Sequence, residues 1–189
     1  MPQTLTALAR FNAAADAEAE RELLSCCASR AFATGVAAGR PYEDPERLAD
    51  AAEAAVHGLH WPDVLEALAA HPRIGERPAG AAREAAWSRR EQAGVEDRIR
   101  RELAEGNRAY EDRFGHVYLV CATGLTGTEM LARLRERLGN DEGAERAVVR
   151  AELARITRLR VGRLLGEASE SREHCDGSTV SGVSQGETP

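Results

Sequence analysis

Apolar residues recur every three or four positions over most of this chain, which is the spacing of an amphipathic α-helix. The pattern predicts helical segments at 4–34, 45–59, 61–70, 81–92, 95–114, 126–138 and 142–165. The first segment is long enough for more than one helix, with Asn12 or Asp16 as candidate caps of the second. We therefore expect an all-α, single-domain bundle of about eight helices with little or no sheet.

Proline and glycine interrupt the helical pattern at three places. Residues 35–45 form a predicted connection, and Pro45 suits the first turn of the helix that follows. Residues 71–80 are a second loop rich in Pro and Gly. At Ala93 and Gly94 the composition predicts a break between two helices.

Residues 117–122 do not follow the helical spacing. They are apolar and partly β-branched, and glycines bound them at Gly115 and Gly124. Periodicity leaves open whether this stretch is a buried extended segment or a turn of helix. From residue 167 the chain is polar, so we expect a helical domain at 1–166 and a disordered tail at 167–189.

The overall composition narrows the class of protein. A length of 189 residues fits one domain, and a net charge of −6 with Arg interleaved among Asp and Glu argues against a nucleic-acid surface. The apolar runs are too short to cross a membrane, and no secretory signal is recognised at the N-terminus. The four cysteines form no CxxC pair, which favours reduced thiols and a cytoplasmic location.

His71 is the most informative candidate for chemistry. Pro72 disfavours helical geometry at the residue before it, so His71 is placed where a helix ends and a loop begins. An imidazole with an ordinary pKa of roughly 6.5 suits proton transfer near neutral pH. An isolated His-Pro pair is also a common surface helix stop.

Ser88, Glu91 and Gln92 form a second polar group, since i, i+3 and i+4 share one face of a helix. Such a cluster can bind a small molecule, although Ser-x-x-Glu is equally a capping box. The loop after His71 can bring Glu91 to the imidazole, where a carboxylate would raise the pKa of the ring and orient it. We expect both groups to face one small cavity.

The last helix carries Arg158 and Arg160 on either side of Leu159. An arginine beside an apolar stripe can present a bidentate fork to a carboxylate. The alternative is that its stem packs and its charged end faces solvent.

The other histidines and cysteines give weaker signals. His57 and His60 are spaced as metal ligands, but no second compact pair accompanies them. We expect His116 and His174 at the surface and Cys121 as a packed residue rather than a nucleophile. No phosphate-binding glycine loop or GxSxG motif occurs.

Taken together, four motifs in this order resemble one family, over about residues 5–165. They are His-Pro-Arg-Ile-Gly at 71–75, Ser-Arg-Arg-Glu-Gln at 88–92, Phe-Gly-His-Val-Tyr-Leu-Val-Cys-Ala at 114–122 and Ile-Thr-Arg-Leu-Arg at 156–160. The family is 2-oxo-4-hydroxy-4-carboxy-5-ureidoimidazoline (OHCU) decarboxylase.

The resemblance implies an all-α carboxy-lyase, frequently dimeric, that needs neither a metal nor an organic cofactor. It would convert OHCU to S-allantoin, the last step of urate degradation after urate oxidation and 5-hydroxyisourate hydrolysis. The implied partners are the small-molecule substrate and a possible second copy of the chain, with no nucleic acid and no membrane.

The resemblance also assigns site residues. His71 and Glu91 would be catalytic, with His71 acting on protons. The implied substrate-binding residues are Pro72, Ser88, Gln92, Tyr118, Leu119, Val120, Cys121, Ala122 and Arg160. The apolar stretch would bind the substrate ring through its backbone.

Three other interpretations stay open at this point. One is a related enzyme that processes a different ureide or imidazoline on the same scaffold. The second is a non-catalytic all-α interaction module in which the His-Pro and Ser-x-x-Glu motifs only end and begin helices. A metal-dependent hydrolase is the third and has the least support.

Overall fold

The computed structural model describes residues 6–71, 73 and 88–173, with 88–95 and 167–173 as backbone alone. Within these residues the secondary structure is eight α-helices and no β-strand. The helices are α1 Ala7–Ala13, α2 Asp16–Cys26, α3 Arg30–Ala38, α4 Pro45–Gly58, α5 Trp61–Ala69, α6 Ser88–Phe114, α7 Gly127–Arg137 and α8 Glu142–Glu173. The expected all-α fold is confirmed.

The start of α2 differs from the sequence expectation. Ala15 precedes the helix, and no side chain caps it. The candidate caps are therefore wrong: Asp16 lies in the first turn, and Asn12 bonds the backbone of Tyr42 instead. Its Nδ2 donates to the Tyr42 carbonyl at 2.8 Å, and its Oδ1 accepts from the Tyr42 N–H at 3.0 Å. A long-range partner has taken the side chain that local pattern assigned to a cap.

The connection between α3 and α4 is shorter than expected. Helix α3 begins after Ser29, which caps it because the Ser29 hydroxyl accepts from the Phe32 N–H. The helix then runs through Gly35, where an added Cβ would meet nothing within 4 Å. Pro45 occupies the first turn of α4, as predicted, and Asp44 caps the helix.

Two helices extend beyond their predicted ends. The predicted break at Ala93 and Gly94 is wrong, because α6 is continuous from Ser88. A glycine inside a helix costs only about 1 kcal/mol relative to alanine, which does not by itself end the helix. Helix α8, predicted over 142–165, is described as far as Glu173, and residues 174–189 lie outside the described part of the chain.

Among the described residues, buried apolar side chains form two clusters. The larger is built by α1–α5 and α8, with Phe11, Leu23 and Phe32 among its fully buried members. The smaller lies between α6 and α7 and contains Tyr110 and Leu134.

The stretch 117–122 runs between these two clusters. Val117 and Leu119 pack with the larger cluster, whereas Tyr118 and Val120 pack with the smaller. Side chains that alternate between two faces mark an extended backbone. The open question from the sequence is thus answered: this stretch is a buried extended segment.

A buried ion pair attaches this extended segment to the helices around it. Arg137 Nη2 lies 2.5 Å from Glu145 Oε1, and the two side chains are 7% and 1% exposed. Burial opposes ionisation, but hydrogen bonds from Arg137, Tyr110 and Asn140 outweigh it and lower the pKa of Glu145. Arg137 Nη1 also donates to the Leu119 carbonyl at 2.6 Å. The same cation therefore connects α7, α8 and the extended segment.

Candidate active site

A cavity of about 240 Å³ lies where the end of α5, the extended segment and α8 meet. Its walls are formed by His71, Tyr118, Leu119, Val120, Cys121, Ala122, Thr123, Ile156, Leu159, Arg160 and Arg163. Seven of these are site residues expected from the sequence. Residues distant along the chain are thus brought to one concave, largely apolar surface with a few polar groups, which is typical of a small-molecule site.

The end of α5 places and orients His71. Its backbone N–H donates to the Leu68 carbonyl at 2.9 Å, and its ring Nδ1 lies 2.9 Å from the Ala67 carbonyl. Because a carbonyl oxygen only accepts, Nδ1 carries a hydrogen, and in the neutral ring Nε2 keeps its lone pair. Nε2 is buried and has no hydrogen-bond partner among the described residues. It is the nitrogen left for proton transfer.

Burial lowers the pKa of His71 below its ordinary value of 6.5. The hydrogen bond to Ala67 opposes this shift, and the nearby cation of Arg160 adds to it. The imidazole is therefore neutral at pH 7 and suited to accept a proton. The pKa-raising carboxylate expected from Glu91 stays a prediction, since that side chain lies outside the described ones.

Arg158 and Arg160 have different surroundings, because residues two apart on a helix point to different sides. Arg158 bonds three carboxylates of α4: Asp50 at 2.7 Å, Glu53 at 3.0 Å, and Glu46. Arg160 lines the cavity, and its Nη1 donates to the carbonyl of Cys26 at the end of α2, at 3.1 Å. The bond to Cys26 orients the Arg160 guanidinium.

Residues 118–122 of the extended segment line the cavity, and two of their backbone groups are held from outside it. The Leu119 carbonyl accepts from Arg137, and the Cys121 N–H donates to Glu152 Oε2 at 2.7 Å. Val120, between them, has no hydrogen bond to its N–H or carbonyl among the described residues. A free donor and acceptor on one residue suit a ring that carries amide groups.

Sequence reasoning missed several residues at this site. Ile156 and Arg163 lie four residues before and three residues after Arg160, a helical spacing that was a signal for a shared face. Leu159, between the two arginines of α8, is 42% exposed and lines the cavity. Glu152 gave no sequence signal, because its role depends on a contact with the distant extended segment.

Four expected site residues cannot be placed in the cavity. Pro72 lies outside the described residues, as do the side chains of Ser88, Glu91 and Gln92. The backbone of α6 is helical from Ser88 onward, which keeps the last three on one helical face. Their convergence with His71 stays a prediction.

The expectation of a surface position for His116 is wrong. The residue is 9% exposed, and its ring makes edge-on contacts with Trp61 and Tyr110, each at 5.4 Å between centroids. Its Nδ1 lies 3.2 Å from the Val117 carbonyl, which satisfies one polar atom inside this aromatic cluster. His174 lies outside the described residues.

Other expectations can be compared within the described part of the chain. It contains no group of three or more His, Cys, Asp or Glu arranged to hold a metal ion, and His57 and His60 are both exposed. Cys26, Cys27 and Cys121 are free thiols, and Cys121 is half-buried at the cavity wall rather than fully packed. None of the described helices combines the length and apolar character needed to span a membrane.

Comparison with known proteins identifies the family. The family model for OHCU decarboxylase matches residues 12–162. The chain is 31% identical over 166 residues to the uric acid degradation bifunctional protein TTL of Arabidopsis thaliana, covering 85% of this chain and 51% of that protein. It therefore spans about half the length of this bifunctional relative. It is also 31% identical over 134 residues to the 2-oxo-4-hydroxy-4-carboxy-5-ureidoimidazoline decarboxylase of Amia calva, covering 68% of this chain and 77% of that protein.

Solved structures agree with the sequence comparisons. An OHCU decarboxylase crystallised in the presence of (S)-allantoin superposes with a TM-score of 0.64 and 30% identity, covering 81% of this chain and 99% of that one. An (S)-allantoin synthase, 20% identical, has the same fold with a TM-score of 0.62, covering 85% of this chain and 54% of that one. The match of the family model over most of the chain, and the relatives with 31% identity, show that this protein belongs to the OHCU decarboxylase family.

Proposed function

We propose that this protein converts OHCU to S-allantoin and carbon dioxide, using its own side chains and backbone without a cofactor. The observation that carries the proposal is the cavity that joins the His71 imidazole, the extended backbone and the Arg160 guanidinium. Its volume of about 240 Å³ is below the roughly 300–1,000 Å³ of sites for drug-sized ligands, which suits a compact imidazoline.

The site must manage the electron pair released when carbon dioxide leaves. As the bond from ring carbon C4 to the carboxylate breaks, its pair forms a C4=C5 double bond. The pair of the ring C=N bond withdraws to nitrogen, which takes up a proton from solvent. In our proposal the free Val120 N–H and carbonyl bind the amide-like edge of the ring and hold it flat during this step.

His71 then moves one proton within the ring. Its Nε2 accepts the proton of the C4 hydroxyl, so that C4 becomes a carbonyl, and delivers it to C5 on the side of the cavity where the imidazole lies. Delivery from one side produces one enantiomer. Glu91 would assist at the C4 hydroxyl, in the role that the family resemblance implies.

Arg160 provides the positive charge for an anionic substrate. The guanidinium has donors beyond the one that bonds Cys26, so it can also bind a carboxylate or carbonyl oxygen of the ligand. We propose that it orients the substrate rather than transferring protons.

The test is turnover of freshly generated OHCU by purified protein, with chirality-sensitive detection of allantoin. His71→Ala should lower kcat by about a hundredfold to ten-thousandfold, the usual contribution of a positioned acid–base group. His57→Ala, at an exposed position outside the cavity, is the matched control and should match the parent.

A His71→Ala rate within tenfold of the parent would refute the assignment of the proton-transfer group. Turnover of a different ureide in place of OHCU would indicate a related enzyme. Failure to bind S-allantoin or turn over any such compound would indicate an interaction module. Cytoplasmic location is part of the proposal and is supported by three free thiols within the described part of the chain, two of them buried.

A further inference from the structure

Two charged side chains hold the extended segment from outside the proposed substrate contacts. Arg137 of α7 donates to the Leu119 carbonyl at 2.6 Å, and Glu152 of α8 accepts from the Cys121 N–H at 2.7 Å. Both side chains are buried, with 7% of the Arg137 side chain and 9% of the Glu152 side chain exposed. Buried charges that bond backbone groups directly are uncommon and energetically costly unless well paired.

The positions of these two bonds explain why Val120 is free. In an extended backbone, the polar groups of residues two apart point to the same edge, and those of the residue between them point to the opposite edge. Bonds to Leu119 and Cys121 occupy one edge. The N–H and carbonyl of Val120 lie at the other edge, where they have no partner among the described residues.

Helix α8 couples this arrangement to the rest of the cavity. Glu152 and Ile156 are four residues apart, and Arg160 follows after four more, so all three lie on one helical face. The helix that carries the Arg160 guanidinium therefore also sets the position of the Cys121 N–H. The second carboxylate oxygen of Glu152 bonds Arg155 Nη1 at 3.2 Å, which satisfies it outside the cavity.

We propose that Glu152 is a positioning residue for substrate binding. It fixes the Cys121 peptide at a set distance from α8 and thereby directs the free Val120 groups toward the ring of the substrate. This inference rests on the proposed function. It assigns Glu152 no part in proton transfer, since its carboxylate is engaged by the Cys121 N–H and by Arg155.

Two substitutions separate position from charge. Glu152→Gln keeps the length of the side chain and an oxygen that accepts from Cys121, but removes the charge. Glu152→Asp keeps the charge and withdraws the oxygen by one methylene. We expect Glu152→Gln to retain kcat/KM within about threefold, and Glu152→Asp to lower it about tenfold to a hundredfold, mainly through KM, as small misplacements do.

Binding of S-allantoin and hydrogen exchange of the 117–122 backbone give readouts beyond activity. Glu152→Asp should weaken S-allantoin binding and speed exchange at Cys121, and Glu152→Gln should do neither. Glu142→Asp is a control on the same helix, because Glu142 is exposed and pairs with Arg146 away from the cavity lining.

Each result decides the matter. Loss of activity in Glu152→Gln equal to or greater than that in Glu152→Asp would overturn the positioning role and indicate that the charge itself is needed. Parent-like KM and exchange in both variants would also overturn it. A parental protein that does not turn over OHCU would instead overturn the proposed function, which separates the two failures.

Discussion

Replacement of Arg160 by lysine tests whether this side chain binds substrate or only supports the fold. Arg160 Nη1 bonds the Cys26 carbonyl at 3.1 Å, while the rest of the guanidinium is available at the cavity wall. Lysine keeps the positive charge but carries it on a single nitrogen, which cannot span two acceptors as a planar fork does. Arg160→Lys therefore loses at least one charge-assisted hydrogen bond.

The size of the effect follows from the value of such a bond. A hydrogen bond to a charged group contributes about 1.5–3 kcal/mol, and about 1.4 kcal/mol corresponds to a tenfold change in an equilibrium constant. If the lost bond is the one to substrate, kcat/KM falls by about tenfold to 150-fold. If the lost bond is the one to Cys26, the free energy of unfolding falls and KM is unchanged.

The assay is steady-state decarboxylation of OHCU together with thermal unfolding of the same samples. Arg158→Lys is the matched control, since Arg158 bonds carboxylates of α4 and does not line the cavity. We expect a raised KM for Arg160→Lys only. Parent-like KM for Arg160→Lys, or an equal rise in both variants, would refute the assignment of Arg160 to the substrate.

Four further predictions concern the pH dependence of activity, the pH dependence of stability, the buried ion pair and the apolar wall of the cavity. Because burial and Arg160 lower the pKa of His71, kcat/KM should fall with decreasing pH only below about pH 6.5. Arg160→Gln should move this decrease to higher pH, and an unmoved profile would contradict an electrostatic effect of Arg160 on His71. The same shift predicts that the contribution of neutral His71 to the free energy of unfolding is complete above pH 6.5 and is lost as the pH falls toward the folded-state pKa. The measurement is urea unfolding of the parent and of His71→Ala across this pH range. Glu145→Ala leaves the buried charge of Arg137 unpaired and should cost about 3–5 kcal/mol of unfolding free energy, so a loss below 1 kcal/mol would show that Arg137 finds another partner. Leu159→Ala should weaken S-allantoin binding several-fold in calorimetry with little change in Tm, since Leu159 is 42% exposed at the cavity. A drop in Tm with unchanged binding would show that Leu159 packs in the core instead.

The apolar spacing alone was sufficient to predict the helical class, because burial of one helical face imposes a local period of 3.6 residues. Pro45 began a helix and the region before Pro72 ended one, as the restricted backbone of proline requires. Local signals failed for two different reasons. Asn12 bonded the distant Tyr42 rather than capping α2. The break expected at Gly94 did not occur, because one glycine costs a helix only about 1 kcal/mol relative to alanine.

The sequence singled out His71 after a helix end and Arg160 beside an apolar stripe, and the structure brings both residues to one cavity wall. The sequence did not predict the extended conformation of residues 117–122, since an apolar run of six residues fits a helix turn and a strand equally. Packing between two cores decided it. Tertiary contacts likewise placed His116 inside an aromatic cluster and Leu159 at a cavity. Tertiary contacts also brought the Glu152 carboxylate to the Cys121 N–H, a bond between residues 31 positions apart. Such a bond depends on where whole helices pack and not on the residues next to Glu152 or Cys121 in the sequence.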